Sequence, residues 1–176
     1  MTLTNFTTES FETGYNDWTL QNYPAPCYPT SIASAGNTPG FGFFTSSPME
    51  GTNSFQHGWE SSSAGNLTLT KILTMGTSFT FQYRYAYDIS CSDCLSKYFI
   101  VNLYHTSANT LLQSTQISIG TPGTIVYDSG VLNRTVDTSN YANSTVKVQF
   151  VWVVPQASTG PAFFEFDNIQ FAGCGK

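Results

Sequence analysis

Residues 144–155 read STVKVQFVWVVP, and the spacing of their apolar side chains decides the fold class. Val146, Val148, Phe150, Trp152 and Val154 recur at every second position, so they line one face of an extended strand. A helix would need the same residues three and four apart. Pro155, which has no amide N–H to give to a ladder, ends the run. The same period recurs in SFTFQYRYAYDI (78–89), where Phe79, Phe81, Tyr83, Tyr85 and Tyr87 share a face. In KYFIVNLYHT (97–106), Phe99, Val101 and Leu103 lie opposite Tyr98, Ile100, Asn102 and Tyr104.

Shorter runs extend the pattern to both ends. ESFETGYNDWTL (9–20) reads as two short strands around Gly14, and FGFFTS, FQHGWE, NLTLTKIL, STQISI and TIVYDSG read as further strands. The Pro- and Gly-rich stretch 21–40 reads as a long loop. AFFEFDNIQF (162–171) closes the series but does not alternate cleanly. Phe164 and Phe166 share a side with Asn168 and Gln170, while Glu165 and Asp167 share theirs with Ile169 and Phe171. A carboxylate on a covered face needs a partner or a metal, or a bulge that re-aims it. Ten or eleven short strands with turns between them predict an all-β chain, a two-sheet antiparallel sandwich of jelly-roll type. It forms one domain over residues 1–176, with its core at about 9–174.

Composition narrows the function. Only 10% of the 176 residues are charged, Lys plus Arg number six, and the formal net charge is -5. No basic patch exists for nucleic acid or an anionic membrane surface. No apolar run approaches the roughly 18 residues that a membrane span needs. Residues 1–10 lack the basic start and apolar stretch of a signal peptide. Aromatics make up 15%, and four sequons stand at Asn5, Asn66, Asn133 and Asn143. Both features fit a secreted or extracellular glycoprotein, or one part of a larger surface protein.

The four cysteines, Cys27, Cys91, Cys94 and Cys174, permit three pairings. The favoured reading is a local Cys91–Cys94 loop and a Cys27–Cys174 clasp. Free thiols and a four-cysteine zinc site are the alternatives.

In order, SFETGYNDW, GTNSFQHGWESSSAGNLTLT, SFTFQYRY, YFIVNLYH, VKVQFVWVV and FFEFDNIQFAGC form a progression that resembles the MAM domain, an extracellular adhesion module. It is similar also to jelly-roll carbohydrate-binding modules. Phe11-Glu12, Asp167-Asn168-Ile169 and Cys174 carry the resemblance best. The chain departs from it in lacking an early cysteine after Phe11-Glu12 and in having Cys91-x-x-Cys94. The resemblance implies that the first and last strands lie side by side. It also implies that Glu12 and Asp167 meet on one structural calcium ion, with Glu50 or Glu9 as a third carboxylate. Calcium takes six to eight oxygen ligands, so such a set is chemically reasonable.

Candidate glycan contacts are Tyr23 and Tyr28 in or beside the long loop, Tyr83, Tyr85, Asn102 and Tyr104 on a concave strand face, and Arg84 on the other face of its strand. The expected function is non-catalytic recognition of a glycan on a cell or matrix surface. The rivals are a protein–protein adhesion module, with a cell-surface protein or a second copy of the chain as partner, and a polysaccharide-degrading jelly-roll enzyme. For the enzyme, Glu165-x-Asp167 is the candidate pair, since retaining glycosidases hold two carboxyl groups about 5–5.5 Å apart.

Overall fold

The computed structural model describes residues 5–14, 17–23, 31–34, 48–59, 64–88, 95–118, 125–126, 128–157 and 162–173. In chain order the strands are β1 (Asn5–Glu9), β2 (Thr19–Tyr23), β3 (Ser31–Ser34), β4 (Asn53–Trp59), β5 (Gly65–Thr74) and β6 (Ser78–Asp88). They continue with β7 (Tyr98–His105), β8 (Leu111–Ser118), β9 (Ile125–Val126), β10 (Leu132–Asp137), β11 (Thr145–Val154) and β12 (Ala162–Gly173). A short 3-10 turn spans Ser139–Tyr141. No helix among the described residues is long and apolar enough to cross a membrane.

The strands form the expected two-sheet antiparallel sandwich. Sheet A has the order β10-β6-β12-β4-β3, with β1 also on β12 and β9 on β6. Sheet B has the order β2-β5-β11-β7-β8. Both bury their alternate apolar side chains in one core. From β11 come Val146, Val148, Phe150, Trp152 and Val154, and from β6 Phe79, Phe81 and Tyr83, as the alternation predicts. Phe166 sits near the middle, 4.5 Å from Phe150 and 5.4 Å from Phe81 between ring centroids. The chain passes from sheet B to sheet A at Gly76, where a Cβ would stand 1.2 Å from the Ala172 carbonyl oxygen. Only glycine lets the two backbones approach so closely.

β12 explains its own broken alternation. It pairs with β6 from Ala162 to Phe171, and the register shifts between Asp167 and Gln170. Asn168 takes φ 50°, which places the extra residue of a bulge at this point. The bulge exchanges the two sides of the strand. Phe164 and Phe166 face the core before it, and Ile169 and Phe171 face the same core after it.

Several readings need correction. The described residues between Glu9 and Thr19 form turns rather than two strands around Gly14, and FGFFTS (41–46) lies outside the described residues. β3 lies inside the stretch 21–40 that reads as loop, β2 runs on to Tyr23, and β8 starts at Leu111. β10 goes unread because Asn133, Arg134 and Thr135 are exposed and only Val136 is fully buried. β1 pairs from Asn5 onward, so folded structure begins before residue 9.

Phe166→Ala removes a ring at the centre of the core and is expected to cost about 3–5 kcal/mol. Ile72→Ala, at a side chain 59% exposed, should stay within about 0.5 kcal/mol. Urea unfolding of the two variants measures both. A small loss for Phe166→Ala would mean that this core is not packed around it.

Candidate functional site

Three surfaces gather the polar side chains, and the first follows from the bulge. On one side of β12, β4 pairs with its first half (Ala162–Phe166) and β1 with its second (Ile169–Gly173). The gap between them falls at Asp167, and the turn before β4 folds into it. Asp167 is wholly buried. Its Oδ2 accepts the N–H groups of Met49 and Glu50, both at 2.9 Å, and its Oδ1 accepts that of Asn168 at 2.8 Å. Glu12 grips the other end of the same turn. Its Oε1 accepts the N–H groups of Thr52 (2.8 Å) and Asn53 (2.7 Å), and its Oε2 accepts the Thr52 hydroxyl (2.7 Å). Phe11 anchors this grip in the core, 5.7 Å from Phe55 and 6.1 Å from Phe166.

The three residues expected to hold a metal, Glu12, Glu50 and Asp167, therefore surround one turn. Glu12 and Asp167 already take backbone N–H donors. Among the described residues no group of three His, Cys, Asp or Glu side chains is placed to hold a metal ion. The electrostatics still leave negative charge over. Burial pushes the Asp167 carboxyl up to about 6 against the opposing pull of its N–H donors, and the neighbouring Glu50 charge adds to the rise. Glu50 Oε2 is buried without a hydrogen-bond partner. Glu12 behaves oppositely, its carboxyl held below the ordinary range by the Thr52 hydroxyl and the Asn53 N–H.

The outer face of sheet A forms the second surface, and its polar groups bind one another. Arg84 holds Asp128 through Nε (2.7 Å) and Nη2, and its Nη1 lies 3.8 Å from the buried Glu165. Glu165 accepts the Ser54 hydroxyl. The Asp128 carboxyl is held below its ordinary value by the Arg84 hydrogen bonds. Beside this cluster the amides form a chain, from Gln170 to Asn168, from Asn168 to Gln82 and from Gln82 to Asn133.

The outer face of sheet B is the third. The cross-strand register places Thr19, Thr70, Gln149, Asn102 and Ser114 in one row spanning all five strands. Strand alternation turns these side chains away from the core, because their neighbours Leu69, Val148, Phe150, Val101 and Leu103 fill it. Asn102 donates to the Tyr104 hydroxyl at 3.4 Å, and Gln149 to the Thr70 hydroxyl at 3.5 Å. The next row is Ile72, Lys147, Tyr104 and Leu111, with the Lys147 ammonium 4.7 Å above the centre of the Tyr104 ring. On the other side come Thr68, Val151, Ile100 and Gln116, then Asn66, Val153, Tyr98 and Ser118. Val151 and Val153 occupy outward positions yet are only 9% and 8% exposed, so they sit low in the face. A depression of about 370 Å³ opens where Asp17, Thr19, Thr70, Lys71, Ile72 and Lys147 meet.

The candidate glycan contacts do not form one face. Asn102 and Tyr104 stand together on sheet B. Tyr83 is buried in the core from sheet A, and Tyr85 packs against that core partly buried. Burial also raises the Tyr83 hydroxyl's pKa. Arg84 lies on the outer face of sheet A, tied to Asp128. Tyr23 stands on β2 opposite Asn66, its side chain outside the described residues, and Tyr28 lies outside them altogether. All four cysteines, Cys27, Cys91, Cys94 and Cys174, also lie outside the described residues. Of the sequon asparagines, Asn66, Asn133 and Asn143 are exposed, while Asn5 lies in β1 with its side chain outside the description. Thr70, Lys147 and Gln149 went unnoticed as site residues. Their signal was the polar phase of the strands whose apolar phase fixed the fold.

Glu165 and Asp167 are not a catalytic pair in a cleft. Both are wholly buried, and they are bound by different partners, Ser54 for one and the turn N–H groups for the other.

No family model matches the chain, and no curated protein matches it in sequence. Solved structures do resemble it. The first cleaved adhesin domain (K1) of Lys-gingipain from Porphyromonas gingivalis superposes with TM-score 0.59 at 14% identity, covering 97% of this chain and 99% of that one. The TmCBM61 module in complex with β-1,4-galactotriose gives 0.55 at 10%, covering 93% and 94%. The family 11 carbohydrate-binding module from Clostridium thermocellum, in complex with a mixed-linked tetrasaccharide, gives 0.51 at 12%, covering 96% of each. At these identities the likeness is one of fold. It sets the chain beside carbohydrate-binding modules and adhesin domains, and none of the three is a MAM domain.

Gly51 takes φ 61°, and a Cβ there would lie 2.5 Å from the Glu12 carboxylate, which three hydrogen bonds hold in place. Gly51→Ala should therefore destabilise by about 1–3 kcal/mol, from backbone strain and the clash together. In a Glu12→Ala background the clash vanishes and only the strain remains, so the two costs should not add. A double-mutant cycle by urea unfolding reads the difference, and strict additivity would dissociate Gly51 from Glu12.

Proposed function

We propose that this domain is a non-catalytic extracellular glycan-binding module that takes its ligand on the outer face of sheet B. One observation carries the reading: the row Thr19, Thr70, Gln149, Asn102 and Ser114 crosses five strands with hydroxyl and amide groups, with Tyr104 in the next row on one side and Tyr98 two rows away on the other. Neutral sugars are bound by such hydrogen-bonding groups in company with aromatic rings. The outer face of sheet A suits the role less well, since its polar groups close on one another through an ion pair and amide hydrogen bonds of 2.9–3.1 Å, while the amides of sheet B meet their neighbours only at 3.4–3.5 Å. The likeness in fold to modules solved with bound oligosaccharides supports the same reading. The likeness to an adhesin domain supports a surface location, and a protein partner is the second reading.

The expected measurement is a glycan array followed by titration calorimetry. A neutral oligosaccharide should bind, and Asn102→Ala with Gln149→Ala should weaken it at least about tenfold, the loss of one to two net hydrogen bonds. An array without signal would end the glycan reading and leave the protein-partner reading to be tested.

A calcium ion belongs, on this reading, at the turn before β4. The support is the orphaned Glu50 Oε2 beside the buried Asp167, with no cation paired to either among the described residues. Calcium accepts backbone carbonyls beside carboxylates, so two or three acidic residues suffice. Glu50 and Asp167 would hold it, with Glu12 keeping the turn in shape, and the ion would neutralise their charge and fix the corner. The melting temperature should then rise by several degrees from chelator to calcium, and Glu50→Gln or Asp167→Asn should shrink that rise. Equal melting temperatures in calcium and chelator would remove the ion from the account.

A further inference from the structure

We infer that the glycan face is built for a sugar chain carrying one acidic unit, a carboxylate or a sulfate ester, seated in the depression between Lys71 and Lys147. The inference rests on the proposed use of this face. The chain has six basic residues against eleven acidic ones. On sheet A, Arg84 is paired with Asp128 and Arg134 lies on β10, while Lys97 is wholly buried. Two of the six, Lys71 and Lys147, line the same 370 Å³ depression at the edge of the polar face.

The partners of Lys147 are neutral: the Asn109 amide oxygen and the Tyr104 ring. Its positive charge is therefore uncompensated by an ion pair among the described residues. Lys71 lies 6.0 Å from the centre of the Trp18 ring. Asp17, with φ 64°, also lines the depression and supplies an acceptor for sugar hydroxyls. Thr19 and Thr70 add hydroxyls, and Ile72, 59% exposed, gives an apolar platform for the C–H face of a ring. Cation, hydroxyl, acceptor and apolar surface together suit an acidic pyranose better than a neutral one.

The rest of the face limits the charge to one position. The outward rows beyond the depression hold Gln149, Asn102, Ser114, Thr68, Gln116, Asn66 and Ser118, with no basic group. A polymer acidic at every unit would lay most of its charges on neutral groups of a protein with net charge -5. A chain with one acidic unit and neutral neighbours matches the charge pattern.

The test is calorimetry of the whole domain at low ionic strength with three ligands: neutral β-1,4-galactotriose, the same trisaccharide bearing one terminal galacturonate, and the same trisaccharide bearing one sulfate ester. At least one acidic trisaccharide should bind about tenfold tighter than the neutral one, and about half a molar salt should erase most of that preference. Lys147→Gln should bring the ratio of acidic to neutral affinity close to one, and Lys147→Glu should invert it. Whichever acid gains identifies the anion. If the neutral sugar binds and neither acid binds tighter, the acidic subsite is wrong while the glycan face stands. If none of the three binds and an array gives no signal, the glycan face falls and takes the subsite with it.

Discussion

The bulge at Asp167–Asn168 is the constraint on which the arrangement depends. An unbroken strand would turn Ile169 and Phe171 away from the core that Phe164 and Phe166 enter. The extra residue restores them to it. The same kink leaves the Asp167 carboxylate in a gap between two neighbouring strands, where it would be costly unless bonded. Three backbone N–H groups meet it there. Two of them belong to the turn before β4, so a packing correction in one strand also fixes a loop about 118 residues earlier in the chain.

Much of the fold was legible because most strands bury one face, and period two marks them. β10 escaped because an edge strand with one fully buried residue has almost no apolar period to detect. β3 escaped because it lies among prolines and glycines that signal turns more strongly than four residues signal a strand. The last strand was legible in an indirect way: its faulty alternation left a partner, a metal or a bulge open at Asp167, and the register shift shows the bulge. Glu12 and Asp167, which the family resemblance places on one ion, grip the two ends of one turn, each through backbone N–H groups.

The proposed glycan face was harder to read, for a definable reason. Alternation tells which residues share a side of a strand, but not which strands share a sheet. Tyr83 and Tyr104 look equivalent in the sequence, yet one is buried from sheet A and the other lies on the outside of sheet B. The row from Thr19 to Ser114 exists only once five strand registers are fixed. The two outer faces then separate by chemistry. One closes its charges in an ion pair and its amides in a chain, and the other joins its amides to hydroxyls only at 3.4–3.5 Å and keeps a lysine without an ion pair among the described residues.

The position of β12 in the chain has a kinetic consequence. It follows the eleven other strands in sequence, but it occupies the middle of sheet A and pairs with β6, β4 and β1. During synthesis those three strands must wait with unpaired edges until residues 162–173 arrive. Sheet B meets the same delay slightly earlier, since β11, the last of its strands in the chain, enters between β5 and β7. Folding therefore ends with the insertion of a central strand between partners remote in sequence, a slow step that leaves open edges exposed to other chains in the meantime.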